Sequence, residues 1–193
     1  MELNSSASIE GRRIRFTPLQ IENIYTHFRW NNDPELNRLD SEMPYEEESF
    51  GAFKKRFEQM SDYPDPTHQD FEIHVKDGSL IGVAYVTAIS THNRHALVGV
   101  TIGDRAYWGE GFGRESLALL LDYCFEELNL HRVSAETFEY NEAWENLVRE
   151  MGFTREGTAR DYLRRDGTFW DKGTFGLLEH EYQSKQAELK SVA

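Results

Sequence analysis

The chain has 193 residues, 39% of them apolar and 13% aromatic, which is enough for one well-filled core, and no shift in composition marks a second domain. Its net charge of −13 argues against a nucleic-acid backbone as partner, because phosphate binding needs clustered Lys and Arg, while it permits a cationic substrate. No apolar run approaches the roughly 20 residues that span a bilayer, and the first residues lack a basic-then-apolar signal pattern, so the expected setting is the cytoplasm with no membrane partner.

Residues 1–12 are polar and small and read as a flexible segment ahead of an opening strand at 13–16. Thr17, Pro18 and Gln20 then combine an N-cap, a proline at the first helical position and a capping-box glutamine. They precede Ile21, Ile24, Tyr25 and Phe28, which predicts a first helix with a core-facing stripe. After Asn31-Asn32-Asp33-Pro34, Phe50, Phe53, Phe57 and Met60 repeat at helical spacing, and Tyr63-Pro64-Asp65-Pro66 closes that second helix. Strands at 71–75 and 80–87 flank Lys76-Asp77-Gly78-Ser79, whose Asp-Gly pair is a hairpin signal. A loop with His92 and His95 leads to a fourth strand at 96–102. Neither histidine has a carboxylate or cysteine partner at metal-ligand spacing, so no metal is expected.

The next segment carries the chemistry. Trp108-Gly109-Glu110-Gly111-Phe112-Gly113-Arg114 places glycines at alternate positions immediately before a helix. Without Cβ atoms the loop lets a phosphate approach its backbone N–H groups, the helix N-terminus adds partial positive charge, and Arg114 supplies a full one. A pyrophosphate fits. The bland alternative is a tight turn that merely needs glycine. A Walker loop is excluded, since no Gly-Lys-Ser/Thr follows. A dinucleotide fingerprint would find its carboxylate in Glu136 or Glu139, but the loop is Gly-x-Gly-x-Gly and the strands before it come in hairpin order.

Behind the loop, Leu117, Leu120, Leu121, Cys124, Phe125 and Leu128 form the apolar stripe of a long third helix, where the lone cysteine has a core role. A fifth strand at 132–138 completes a strand-helix-strand crossover, expected to be parallel to the fourth. Asn141 caps a short fourth helix with Trp144, Leu147, Val148 and Met151 inward, stopped by Gly152 and Phe153 in a Schellman-type end. Strands at 158–164 and 168–177 around Arg165-Asp166-Gly167 make a closing hairpin, and the polar tail from 183 on reads as frayed.

Ile102-Gly103-Asp104, Tyr107 to Gly113, Leu128 to Val133, Asn141 and Met151-Gly152-Phe153 together resemble the GNAT superfamily of N-acetyltransferases, in particular its RimJ/RimL-like branch of ribosomal-protein and spermidine acetyltransferases. The resemblance covers roughly residues 13 to 180. It implies an α/β fold of α+β type in one domain at 13–182. The central sheet would be mixed and mostly antiparallel, with the parallel fourth and fifth strands splayed and about four helices flanking it. It also implies acetyl-CoA as cosubstrate, an amine acceptor and a possible homodimer. In the cofactor site, Trp108, Gly109, Glu110, Gly111, Phe112, Gly113 and Arg114 would hold the CoA pyrophosphate. Val100, Thr101 and Ile102 would pair with the pantetheine, and Asn141 would contact its arm. Trp144, at a position usually small, either joins the core stripe or reshapes the cofactor pocket.

The implied reaction is direct attack of a neutral amine on the thioester, which needs a base and stabilisation of the oxyanion. Glu136, five residues before Asn141, matches the catalytic glutamate of the ribosomal-alanine branch, with Glu139 in reserve; strand alternation alone does not say which face of Glu136 is wet. The family's general-acid tyrosine is replaced by Val148, so Tyr140 or Tyr162 would supply the proton, or the CoA thiolate would leave without one. The fourth-strand carboxylate of some members is replaced by Leu97. These departures leave open a non-catalytic acyl-CoA-binding or sensing domain. The acidic run from Asp40 to Glu48 either meets a polyamine or basic peptide or is a solvated helix start.

Overall fold

The computed structural model describes residues 8–62 and 65–191. In chain order they form β1 Ile9–Glu10, β2 Ile14–Thr17, α1 Ile24–Asn31, α2 Pro34–Asp40, α3 Phe50–Asp62, β3 Gln69–Val75, β4 Leu80–Ser90, β5 His95–Ile102, α4 Phe112–Asp122, β6 Arg132–Phe138, α5 Glu142–Glu150, β7 Thr154–Arg165, β8 Thr168–Leu178 and α6 Glu179–Ser191. The strands share one sheet in the order β1-β2-β3-β4-β5-β6-β8-β7. Only β5 and β6 are parallel among the described pairings; His95, Ala96 and Leu97 lie beside Arg132, Val133 and Ser134, and the ladder stops there. The parallel pair is thus the fifth and sixth strands, not the fourth and fifth, because Ile9 and Glu10 pair with Phe16 and Arg15 to add a strand where a flexible segment was expected. Residues 1–7 of that segment lie outside the described residues. By contacts the chain groups into two compact units, residues up to 85 with 100–119, and residues 86–99 with those from 120 onward.

In the first unit, Ile14, Phe16, Phe71, Ile73 and Ile81 are buried on β2, β3 and β4, and Ile24, Phe53 and Phe57 form a cluster on α1 and α3. The first helix starts later than its capping signal predicts. Thr17 stays in β2, Gln20 is extended, and a 3-10 turn over Ile21–Asn23 leads into α1. The cause is Glu72 of β3, whose carboxylate accepts from the Gln20 backbone N–H at 3.0 Å and from the Asn23 amide at 2.7 Å, replacing the Thr17 cap. The helix is consequently rotated from the predicted stripe: Ile21 and Tyr25 are exposed, and His27 is buried. Met60 of α3 is exposed too, and Tyr63 and Pro64 of its predicted stop lie outside the described residues. One helix of this unit was unforeseen. Asp33 caps α2, accepting from the N–H groups of Glu35 and Leu36 at 2.9 and 3.1 Å, with Pro34 at the first position.

In the second unit, Val133, Ala135, Phe138, Val148, Phe175 and Leu177 are buried on β6, α5 and β8. The long helix behind the glycines does not run on to Leu128 as an α-helix. It turns into a π turn at Tyr123–Glu127, closed by the Leu128 N–H donating to the Tyr123 carbonyl at 3.0 Å, and Leu128 itself is half-buried. Cys124 is fully buried there, and burial pushes its thiol well above the ordinary range. Asn141 caps α5 as expected, and the Phe153 N–H closes the far end on the Val148 carbonyl at 3.0 Å around Gly152 at φ +98. The closing hairpin is longer than predicted, starting at Thr154, and turns through Asp166 and Gly167 at φ +53 and +78. Instead of fraying at 183, the chain continues as α6. Tyr182 anchors it by stacking on Phe125 at 4.6 Å and donating to Asp122.

Candidate active site

The glycine loop has the backbone that an anion cradle needs. Gly109 and Gly111 adopt φ +76 and +80, values that a side chain strains, although a Cβ at Gly109 would meet nothing. Gly111 ends the loop as the cap of α4, accepting the Glu115 N–H at 3.1 Å, so the Phe112 and Gly113 amides stand in the helix's first turn, where N–H groups have no intrahelical acceptor. The brace of this loop escaped the sequence reading. Arg13, just before β2, donates from its backbone N–H and Nε to Glu115 at 2.5 and 2.7 Å and from Nη1 to the Glu110 carbonyl at 3.0 Å. Its guanidinium also covers the Phe112 ring at 4.3 Å. Burial raises the Glu115 pKa, but the bonds from Arg13 outweigh it and leave the carboxyl below the ordinary range.

At the entry to the loop, the Trp108 indole N–H donates to the Ile102 carbonyl at 2.7 Å. On β5 the Thr101 carbonyl faces β4, approaching Gly82 so closely that a Cβ there would overlap it. Strand alternation then turns the backbone groups of Val100 and Ile102 to the other edge. Of the three residues expected along the pantetheine, Val100 and Ile102 therefore present that edge. Thr101 is engaged elsewhere: its hydroxyl donates to Asp40 at 3.3 Å.

Asp40 closes α2 and lines a cleft of about 310 Å³ within the first unit, together with Trp30, Phe53, Phe57, Asn37 and Asp70. Tyr85 donates to its other oxygen at 2.9 Å. Its carboxylate is reachable by water yet crowded by protein atoms, and that crowding raises its pKa against the two hydroxyl bonds. The acidic run therefore contributes a cleft residue at Asp40, not only a solvated helix start.

The second unit holds the acid-base candidates. Glu136 is on the exposed face of β6, with Ala135 and Thr137 buried on the other, which answers the question alternation left open. Its carboxylate pairs with the Lys172 ammonium of β8 at 2.5 Å, and its carbonyl accepts the Trp144 indole N–H at 2.9 Å. Trp144 thereby ties α5 to β6. Glu139 accepts the Asp171 N–H at 3.3 Å, past the end of the strand. The Tyr140 hydroxyl accepts from Arg165 at 3.0 Å, and its ring meets Trp170 edge-on at 5.2 Å. Asn141 spends its side-chain carbonyl on the Trp144 N–H at 3.2 Å. Val148, at the position of the expected acid, is fully buried. Tyr162 is exposed, with the Lys172 ammonium 4.6 Å from its ring centroid. No group of three or more metal-ligating side chains occurs among the described residues, and none of their helices is long and apolar enough to cross a membrane.

With this geometry in place, the sequence profile of the acetyltransferase (GNAT) domain matches residues 13–154. The chain belongs to the GNAT family of acetyltransferases. It is 28% identical to the uncharacterized N-acetyltransferase p20 of Bacillus licheniformis over 172 residues, spanning 88% of this chain and 95% of that protein. It is 32% identical to the ribosomal protein uS5-alanine N-acetyltransferase of Escherichia coli over 93 residues, 48% of this chain and 47% of that one. Among solved structures, the spermidine N-acetyltransferase of Vibrio cholerae in complex with CoA and spermine superposes with a TM-score of 0.81 at 24% identity. That match covers 89% of this chain and 98% of the other and supports the fold. This GNAT member is an acetyl-CoA-dependent N-acyltransferase.

Proposed function

We propose that this GNAT enzyme transfers acetyl from acetyl-CoA to a cationic primary amine, such as a polyamine or a protein N-terminus, by direct attack in a ternary complex. The observation that carries the donor half is the loop with Gly109 and Gly111 at positive φ, braced by Arg13 and opening onto the first turn of α4. The pyrophosphate of CoA would rest on the amides from Gly109 to Arg114, and the pantetheine along Val100 and Ile102.

On the acceptor side, Glu136 takes one proton from the incoming ammonium, the neutral nitrogen attacks the thioester carbon, and the C–S bond breaks as the second proton is lost. The products are the amide, CoA thiol and one proton. With Val148 in the core, the thiolate leaves without help from that position, or with the Tyr162 or Tyr140 hydroxyl. The aromatic cleft bearing Asp40 and Asp70 suits the alkyl chain and charge of a cationic acceptor. Release of thiol from acetyl-CoA tests this against spermidine, alanine-terminated peptides, aminoglycosides and free amino acids. The expected result is turnover of a cationic amine that Asp40→Asn weakens chiefly through KM. Turnover of none of these amines, with CoA bound, contradicts the proposed acceptor class.

A further inference from the structure

Lys172 is the feature of the second unit that the proposed chemistry leaves unused. In the antiparallel pairing of β6 and β8, Glu136 stands opposite Thr174 and Phe138 opposite Lys172, so Lys172 is the diagonal neighbour of Glu136 on one face. The pair is asymmetric: the Lys172 side chain is 11% exposed and that of Glu136 38%, so the ammonium is sunk and the carboxylate faces solvent. The surroundings hold both groups. Trp144 fixes the Glu136 backbone, and Tyr162 lays its ring against the Lys172 ammonium. Tyr162 gets there because the β7 register shifts between Ala159 and Leu163, where Asp161 takes φ +50 and donates its N–H to Asp171 at 2.9 Å. Bulges of this kind re-aim side chains. On the flanking elements, Arg132 pairs with Glu156, Arg149 and Arg155 with Glu145, Arg165 donates to the Tyr140 hydroxyl, and Glu139 accepts the Asp171 N–H.

We propose that Lys172 is a positioning residue for the base: its ammonium holds Glu136 as an oriented carboxylate and disfavours the protonated form of an amine arriving at the same oxygen atoms. A fixed like charge beside an ammonium weakens that ammonium's hold on its proton, which is the condition for attack. The inference rests on Glu136 being the base. A plain structural ion pair would instead affect stability alone.

The test compares Lys172→Met and Lys172→Arg in the full chain, with spermidine and an alanine-terminated peptide as amine probes. Lys172→Met should lower kcat near neutral pH about ten-fold, move the acid limb of the kcat/KM profile to higher pH and leave KM for spermidine equal or lower. Lys172→Arg should restore most of the rate. In crystal structures of the variants, the Glu136 carboxylate should lose its single orientation in Lys172→Met and keep it in Lys172→Arg. A Met variant that melts earlier but keeps both the pH profile and the Glu136 orientation overturns the proposal. Should neither probe turn over, the acceptor reading fails on its own and the Glu136 orientation still decides Lys172. Full turnover in Glu136→Gln would sink the base assignment, whereas an inactive Glu136→Gln beside an unshifted Lys172→Met sinks the role of Lys172 alone.

Discussion

Glu72 on β3 and Glu136 on β6 are both strand carboxylates beside groups that can carry positive charge, and their surroundings differ in every other respect. Glu72 is fully buried and accepts from four donors: the Gln20 N–H, the Asn23 amide, and His27 and His74 at 2.8 and 2.9 Å. Its lone pairs are filled, and nothing can be exchanged without leaving a donor stranded. Glu136 faces solvent and has Lys172 as its charged partner, so an incoming ammonium can take up a place at its carboxylate. A saturated carboxylate locks a structure, while an accessible one can exchange protons.

Removing Glu72 should have the largest effect on stability. Glu72→Ala strands four donors, two of them on the buried His27 and His74, and is expected to cost about 3–5 kcal/mol in urea unfolding. A loss below about 1 kcal/mol would remove the contrast between the two sites. Burial raises the Glu72 pKa, but the bonds from His27, Gln20, His74 and Asn23 more than offset this, so the folded value lies below the ordinary 4.5. Its contribution is therefore complete above that value and is lost as pH falls through the lower folded one. Glu72→Gln should flatten the acid limb of the stability profile, and an unchanged acid limb would assign acid unfolding to other carboxylates.

Gly111→Ala comes next. The left-handed backbone should cost about 1–3 kcal/mol, and the added Cβ would stand 3.4 Å from the Arg13 guanidinium, so CoA affinity by calorimetry should fall as well. Unchanged affinity would separate the loop from donor binding.

The glycine loop was legible because it is local: three alternate glycines ahead of an apolar stripe specify a loop and a helix start within seven residues. The Asn141 cap, the Gly152 stop and the Asp166-Gly167 turn were legible for the same reason. Long-range arrangements were not. Lys172 meets Glu136 through a cross-strand register that no single segment encodes, and Arg13 braces a loop about a hundred residues away. The start of α1 was misplaced because Glu72, 52 residues from Gln20, supplies the cap. Helix α2 carried both an Asp N-cap and a proline at its first position, but Leu36 is its one buried residue and gives no stripe to recognise.

Glu136→Gln makes the smallest change to the fold, since the amide oxygen can still accept from Lys172, and unfolding should shift by no more than about 1 kcal/mol. The same variant tests the central claim most directly when CoA affinity and acetyl transfer are measured together. Affinity for CoA should be unchanged while the transfer rate at neutral pH falls by about a hundred-fold or more. A variant that binds CoA and transfers acetyl at the parent rate would contradict the account.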